Sequence, residues 1–212
     1  HVIEKATGER LDDLLREHLF EPLQMQDTGF CLDPDQQDRL MPMFGVSNIR
    51  DLSPMNPPLE QTLTAIDVAG MYPAANSDFR RGGHGLFSST SDYLKFATML
   101  LDGKTATGEV MLSRTMLKMM QANRIPEHQL PLKIGLGPLP GYGWGLTGRV
   151  MIDTGQAMSL TNNGEFGWSG AAATYFWVDP AEAMVGVIMT QYLGSILPMS
   201  EALRTAAYQM LD

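Results

Sequence analysis

Residues 164–180 read GEFGWSGAAATYFWVDP, and the reading of this stretch decides the rest. The run AAATYFWV, ending at Val178, is rich in aromatic and β-branched residues, the composition of a strand. The turn DPAEA follows, and AMVGVIMTQ after it forms the return strand of a β-hairpin. At the head of the run stands a small-residue knot, Trp168-Ser169-Gly170-Ala171, with three readings: a nucleophile turn, a backbone cradle or a tight strand entry. A nucleophile turn of the G-x-S-x-G kind needs glycine where Ala171 stands. It also needs an acid and then a histidine downstream. Asp179 supplies the acid, but His1, His18, His84 and His128 all precede Ser169. Another chain order, with His84 or His128 as base, has no local support. In the cradle reading Gly170 lets a ligand approach the backbone, the Ala171 N–H donates to a developing oxyanion, and Trp168 is an apolar wall. The residues alone leave the cradle and a plain strand entry both open.

Working outward, the first half of the chain is helical. HVIEKAT has helical spacing from Val2 and stops at Gly8. The chain has no Met at its start and opens inside this helix, as a truncated or processed polypeptide does. LDDLLREHLFEPL puts Leu11, Leu14, Leu15, His18 and Leu19 on one stripe, with His18 at the core edge or exposed, and Pro22 ends it. Residues 31–83 are proline-rich and carry no firm secondary structure, which fits a wall or lid over a site. SSTSD then caps a helix with the apolar face Tyr93, Leu94, Ala97, Leu100 and Leu101, closed by Gly103. A further helix begins at Ser113. Beyond about residue 125 the pattern turns to strands: YGWGLTGRVMI, AAATYFWV and AMVGVIMTQ. A last helix follows, with Leu203, Ala206, Ala207, Met210 and Leu211 on one side. Helices first and antiparallel strands after make a mixed α/β chain of the α+β type. Its two parts are residues 1–140, helices and pocket-wall loops, and residues 141–212, strands and covering helix of one incomplete domain. Three strands are few for 212 residues, so partner strands are expected to be missing.

The bulk chemistry excludes several classes. A formal charge of −9 argues against nucleic acid and anionic membranes as partners. No apolar run reaches the roughly 18 residues of a membrane span. Histidines, cysteine and carboxylates show no metal-ligand spacing, and GKTATG lacks the upstream glycine of a phosphate loop. No metal or organic cofactor is implied. The single cysteine, Cys31, is expected as small buried filler, and the 16 methionines as adaptable packing.

Three phrases, in order, bear a resemblance. VIEKATGERLDDLLREHLFEPLQMQDTGF resembles the helix pair ending in E-P-L-G-M-x-x-T-x-F of the serine β-lactamase-like family. That family comprises class C β-lactamases, penicillin-binding proteins and family VIII carboxylesterases. GGHGLFSSTSDYLKFATMLLDG is similar to its G-G-x-G-L-x-S-T-x-D-x-x-x-F block, and GEFGWSGAAATYFWVDP to the stretch holding its third active-site motif. That motif is Lys-Thr-Gly, His-x-Gly or Trp-Gly-Gly. The resemblance implies that Trp168 takes the Lys or His position, Gly170 the glycine position, and Ala171 supplies one oxyanion-hole amide. Trp168, Ser169 and Gly170 would then line a substrate site, with His84 and Tyr142 as further pocket candidates; Tyr142 and Trp144 in GYGWG are each read as core or pocket wall. Losing the cation at 168 favours an uncharged ester over a penicillin.

The family's other motifs are not in these residues. Ser88, Ser89, Ser91 and Ser113 all lack lysine three positions on, and Thr115 with Lys118 has the spacing without the serine. Tyr-x-Asn is missing too, and in relatives it lies just upstream of the first phrase. The resemblance therefore implies the C-terminal part of a serine hydrolase acting on a small ester or β-lactam. Its nucleophile segment would be a covalent or separate partner. The rival expectation is a non-catalytic binding module on the same scaffold.

Overall fold

The computed structural model describes residues 1–45, 65–66, 80, 82–83, 85–134, 137–194 and 199–211. His84 lies outside the described residues, as does much of the stretch expected to form a wall or lid.

Local signals set the helices. The first, α1 (Val2–Thr7), ends at Gly8, which enters the left-handed region at φ 78 and returns its N–H to Glu4. Next, α2 (Leu11–Leu15) runs on as a π-helical turn over Arg16–Phe20. Short elements follow: α3 (Pro34–Gln37), β1 (Met43–Gly45) and β2 (Ala65–Ile66). The long helix α4 (Thr90–Asp102) starts at Ser89, whose side chain accepts the Asp92 N–H, and stops at Gly103. Ser113 caps α5 (Arg114–Gln121) in the same way.

Two of the quoted phrases meet here. Gly29 bridges Phe87, and the buried Asp92 carboxylate accepts the Asp27 N–H at 2.7 Å and the Thr28 hydroxyl at 3.0 Å. One buried acid thus ties the turn after α2 to the start of α4. Phe30 is buried beside this bridge, while Cys31, the next residue, is exposed. Cys31 is therefore not the buried filler expected of it. Its neighbour took the inward position.

The strands are β3 (Leu132–Ile134), β4 (Gly137–Leu139), β5 (Tyr142–Trp144), β6 (Arg149–Met151), β7 (Phe166–Ser169), β8 (Tyr175–Asp179), β9 (Met184–Ile188) and β10 (Tyr192–Leu193). The main sheet runs β5-β6-β7-β8-β9, antiparallel throughout. YGWGLTGRVMI is a hairpin of two strands and not one, and β7 was not expected at all. Smaller sheets join β10-β1-β2 and β3-β4, so residues 1–140 also hold short strands. The chain closes with α6 (Met199–Tyr208).

The two faces of the main sheet differ. On one, Val150, Phe166, Phe176 and Val178 pack with Phe20, Leu23, Met25 and with Ala97, Met99 and Leu100 of α4. Fully burying one such side chain stabilises by about 1.5–3 kcal/mol, so this face carries most of the cohesion. Leu94, expected on that face, is exposed, and Met99 takes a buried place instead. The opposite face bears Tyr175 and the side of α6 that carries Arg204. The expected stripe on α6 is not its inner side. Leu203, Met210 and Leu211 are exposed, and the buried residue of the helix is Arg204.

Candidate active site

The end of β7 and the tip that follows it bring the site together. β6 pairs with β7 only at Phe166 and Gly167. Trp168 and Ser169 therefore have β8 on one side and, among the described residues, no strand on the other. The tip closes through Gly170 N–H to Thr174 C=O at 2.8 Å and Ala173 N–H to Gly170 C=O at 3.1 Å. Gly170 and Ala171 thus belong to a hairpin turn between two strands and not to a strand entry.

This turn aims the Ala171 amide. In a trans peptide the C=O and the next N–H point in opposite directions. Gly170 C=O points inward at Ala173, so the Ala171 N–H points out, away from β8. Ala171 is exposed, and its N–H has no partner among the described residues. Its carbonyl accepts from Gly194 N–H at 3.0 Å. Ala172 C=O accepts from Thr190 Oγ1 at 2.5 Å and Tyr192 N–H at 3.4 Å. The tip is pinned to β10, which pairs with β1. A donor held this way needs little reorganisation when charge develops before it.

The tip carries one strained residue. Ala173 sits at φ 57, in the left-handed region, where a Cβ costs roughly 1–2 kcal/mol. Ala173→Gly is expected to raise stability by about 1 kcal/mol, seen as a higher urea midpoint at unchanged slope.

Strand alternation separates the candidates. Trp168 lies opposite Phe176, on the α4 face, and its ring meets Trp144 edge to face at 4.6 Å and 76°. Asn123 holds Trp144 in place: its Oδ1 accepts the Trp144 N–H at 3.0 Å. Ser169 lies opposite Tyr175, on the α6 face, and its hydroxyl has no hydrogen-bond partner among the described residues. The structure thus brings Trp168, Gly170 and Ala171 together and turns the Ser169 side chain away from them.

Tyr142 is not at the tip. It is buried on the α6 side in a polar cluster. Its hydroxyl donates to Glu165 Oε2 at 2.9 Å, and Arg204 Nη1 donates to the Tyr142 hydroxyl at 2.8 Å, the Tyr175 hydroxyl at 3.0 Å and Glu165 Oε2 at 3.2 Å. The Arg149 guanidinium lies 4.7 Å from the Tyr142 ring centre and 4.8 Å from that of Tyr175. Burial, then the Glu165 charge, pushes the Tyr142 hydroxyl above the ordinary tyrosine range. Burial likewise raises Tyr175. Burial alone would lower Arg204, but Tyr175, Tyr142 and Glu165 hold it above its usual range. The cluster acts as a structural clamp between the sheet and α6.

Thr174 escaped sequence reasoning, and Trp144, weighed with Tyr142 as core or pocket wall, could not be separated from that residue. Trp144 is set against Trp168 only by the β5–β6–β7 pairing, and Thr174 is set over Gly170 only by the turn. Once the turn is placed, the period-2 alternation of β8 finds Thr174. No group of three or more His, Cys, Asp or Glu residues able to hold a metal ion occurs among the described residues. None of the helices described is long and apolar enough to cross a membrane.

The helix-backed antiparallel sheet has the β-lactamase- and transpeptidase-like fold of the solved structures it matches. The chain belongs to the β-lactamase family: the family model described as Beta-lactamase matches residues 1–209. It is 27% identical over 195 residues to Protein Rv1367c of Mycobacterium tuberculosis, spanning 90% of this chain and 46% of that protein. It is 25% identical over 208 residues to a lovastatin esterase of Penicillium rubens, spanning 93% of this chain and 48% of the esterase. EstCE1, described as a hydrolase with promiscuous acyltransferase activity, superposes with a TM-score of 0.76 at 24% identity. That superposition covers 98% of this chain and 53% of EstCE1. The chain spans about half the length of these relatives.

Proposed function

We propose that residues 1–212 are the C-terminal portion of a serine hydrolase that works through an acyl-enzyme. A serine in a Ser-x-x-Lys motif, on polypeptide outside these residues, attacks the carbonyl of an ester or β-lactam, and the lysine amine takes its proton. The tetrahedral oxyanion accepts a hydrogen bond from the Ala171 N–H. Collapse expels the alcohol or opens the lactam, and water then releases the acyl group by the same route. Trp168 stands where the family's third motif carries Lys or His, which favours an uncharged ester over a substrate with a carboxylate. The name of the lovastatin esterase lends the same support.

One observation carries the reading: an exposed Ala171 amide, unpartnered among the described residues, on a tip anchored to β10 at the end of a strand whose last residues pair, among the described residues, with β8 alone. The test compares full-length protein with residues 1–212 alone on p-nitrophenyl butyrate. The full-length protein is expected to hydrolyse it and to carry one acyl group per chain by intact mass. Residues 1–212 alone are expected to give no turnover. Turnover by the shorter chain, or a full-length protein that binds esters without ever forming the adduct, would overturn the reading. The second result would leave a binding module.

A further inference from the structure

Thr174 lies outside the motif, yet its side chain is built into the tip. Cross-strand pairing places it opposite Gly170, and a Cβ added to Gly170 would collide with Thr174 Oγ1. The two positions therefore share one face, and alternation along β8 makes it the face of Phe176 and Trp168. A side chain at residue 170 would need the space that the Thr174 hydroxyl occupies.

That hydroxyl is half-buried and has no hydrogen-bond partner among the described residues. Around it the side chains on the same face, Trp168 and Phe176, offer no acceptor. A hydroxyl in such surroundings costs free energy until water or a ligand completes its bonding. It stands next to the residue whose N–H points outward from the tip, within about 5 Å by ordinary cross-strand spacing.

We propose that Thr174 is a substrate-positioning residue that donates a hydrogen bond to an acceptor oxygen on the acyl chain, close to the reacting carbonyl. This rests on the acyl-transfer reading above and narrows it. The preferred substrate is an uncharged ester whose acyl group is apolar against Trp168 and bears an ether, hydroxyl or carbonyl oxygen one or two atoms from the ester carbonyl. Trp168 offers no cation for a carboxylate at that place, so a neutral donor and a neutral acceptor suit each other.

The test uses two esters of equal length and shape, p-nitrophenyl butyrate and p-nitrophenyl methoxyacetate, which differ by an oxygen in place of a methylene. The quantity read is the ratio of their kcat/KM values in the full-length protein. Comparing this ratio between variants cancels the intrinsic reactivity of each ester. Thr174→Val keeps the shape and removes the donor, and the ratio is expected to fall about three- to tenfold, the range of one neutral hydrogen bond. Thr174→Ser restores the donor, and the ratio is expected to return towards that of the parent. A purely structural threonine would move both esters together, so an unchanged ratio in Thr174→Val overturns the proposal while acyl transfer stands. If the unmodified protein hydrolyses neither ester, the acyl-transfer reading falls and takes this proposal with it.

Discussion

Ala171→Pro is expected to lower kcat for the proposed ester hydrolysis by the full-length protein about 10²–10³-fold, the effect of removing one oxyanion donor. Proline lacks an N–H, and it sits readily at the second position of a β-turn, where its fixed φ is already suitable. Ala171 holds that position in the turn closed by Ala173 N–H to Gly170 C=O. Its carbonyl, bonded by Gly194 N–H, is untouched by the change. The variant therefore removes one hydrogen and keeps the tip. Near-ultraviolet circular dichroism of the Trp144–Trp168 pair reports whether the tip has stayed in place. A variant with that spectrum intact and kcat within about threefold of the parent would refute an oxyanion role for this amide.

Arg204→Met destabilises the purified protein by about 3–5 kcal/mol, the cost of leaving a buried charge without its partner. Glu165 has no exposed surface, and Arg204 is the cation within salt-bridge distance of it, at 3.2 Å. Among the described residues, removing Arg204 leaves the carboxylate with only the Tyr142 and Thr161 hydroxyls on Oε2. The double variant Glu165→Leu with Arg204→Met removes both charges, and similar replacements elsewhere have been near neutral. The two single losses are therefore expected to exceed the double loss by about 2 kcal/mol or more, measured by urea unfolding. Additive losses would show that Arg204 is held by its tyrosines and not by Glu165.

The helices were legible because their ends are local. Gly8 and Gly103 can turn left-handed without a Cβ, and Ser89 and Ser113 accept an N–H three residues on. The β8–β9 hairpin was legible for the same kind of reason, an aromatic run closed by Asp-Pro. β7 was not. Residues 166–169 are too short, and too interrupted by Gly167, to show a period, and only strands on both sides make them a strand. The Trp168-Ser169-Gly170-Ala171 knot was recognisable as unusual, but whether it entered a strand or turned between two depended on that unseen strand.

Amphipathic pattern also misled at α6. Leu203, Met210 and Leu211 looked like the inward side, yet Arg204 is buried. A hydrophobic stripe faces inward only if the opposing surface is apolar. Here that surface holds Glu165, Tyr142 and Tyr175, contributed by residues far away in the chain. Tyr142 and Trp144 could not be told apart either. They alternate on one short strand, and only the sheet decides that one faces the Arg204 cluster and the other Trp168.

The chain itself determined where the main helices start and stop, that β8 and β9 form a hairpin, and which four residues merit suspicion as a site. These follow from φ preferences, caps and spacing, all acting within a few residues. The tertiary structure alone decided which way those four residues face, which amide stays unpaired, and which charge goes inside. Pairing and burial join residues tens of positions apart, and their free energies depend on what lies across the contact, which no local stretch contains.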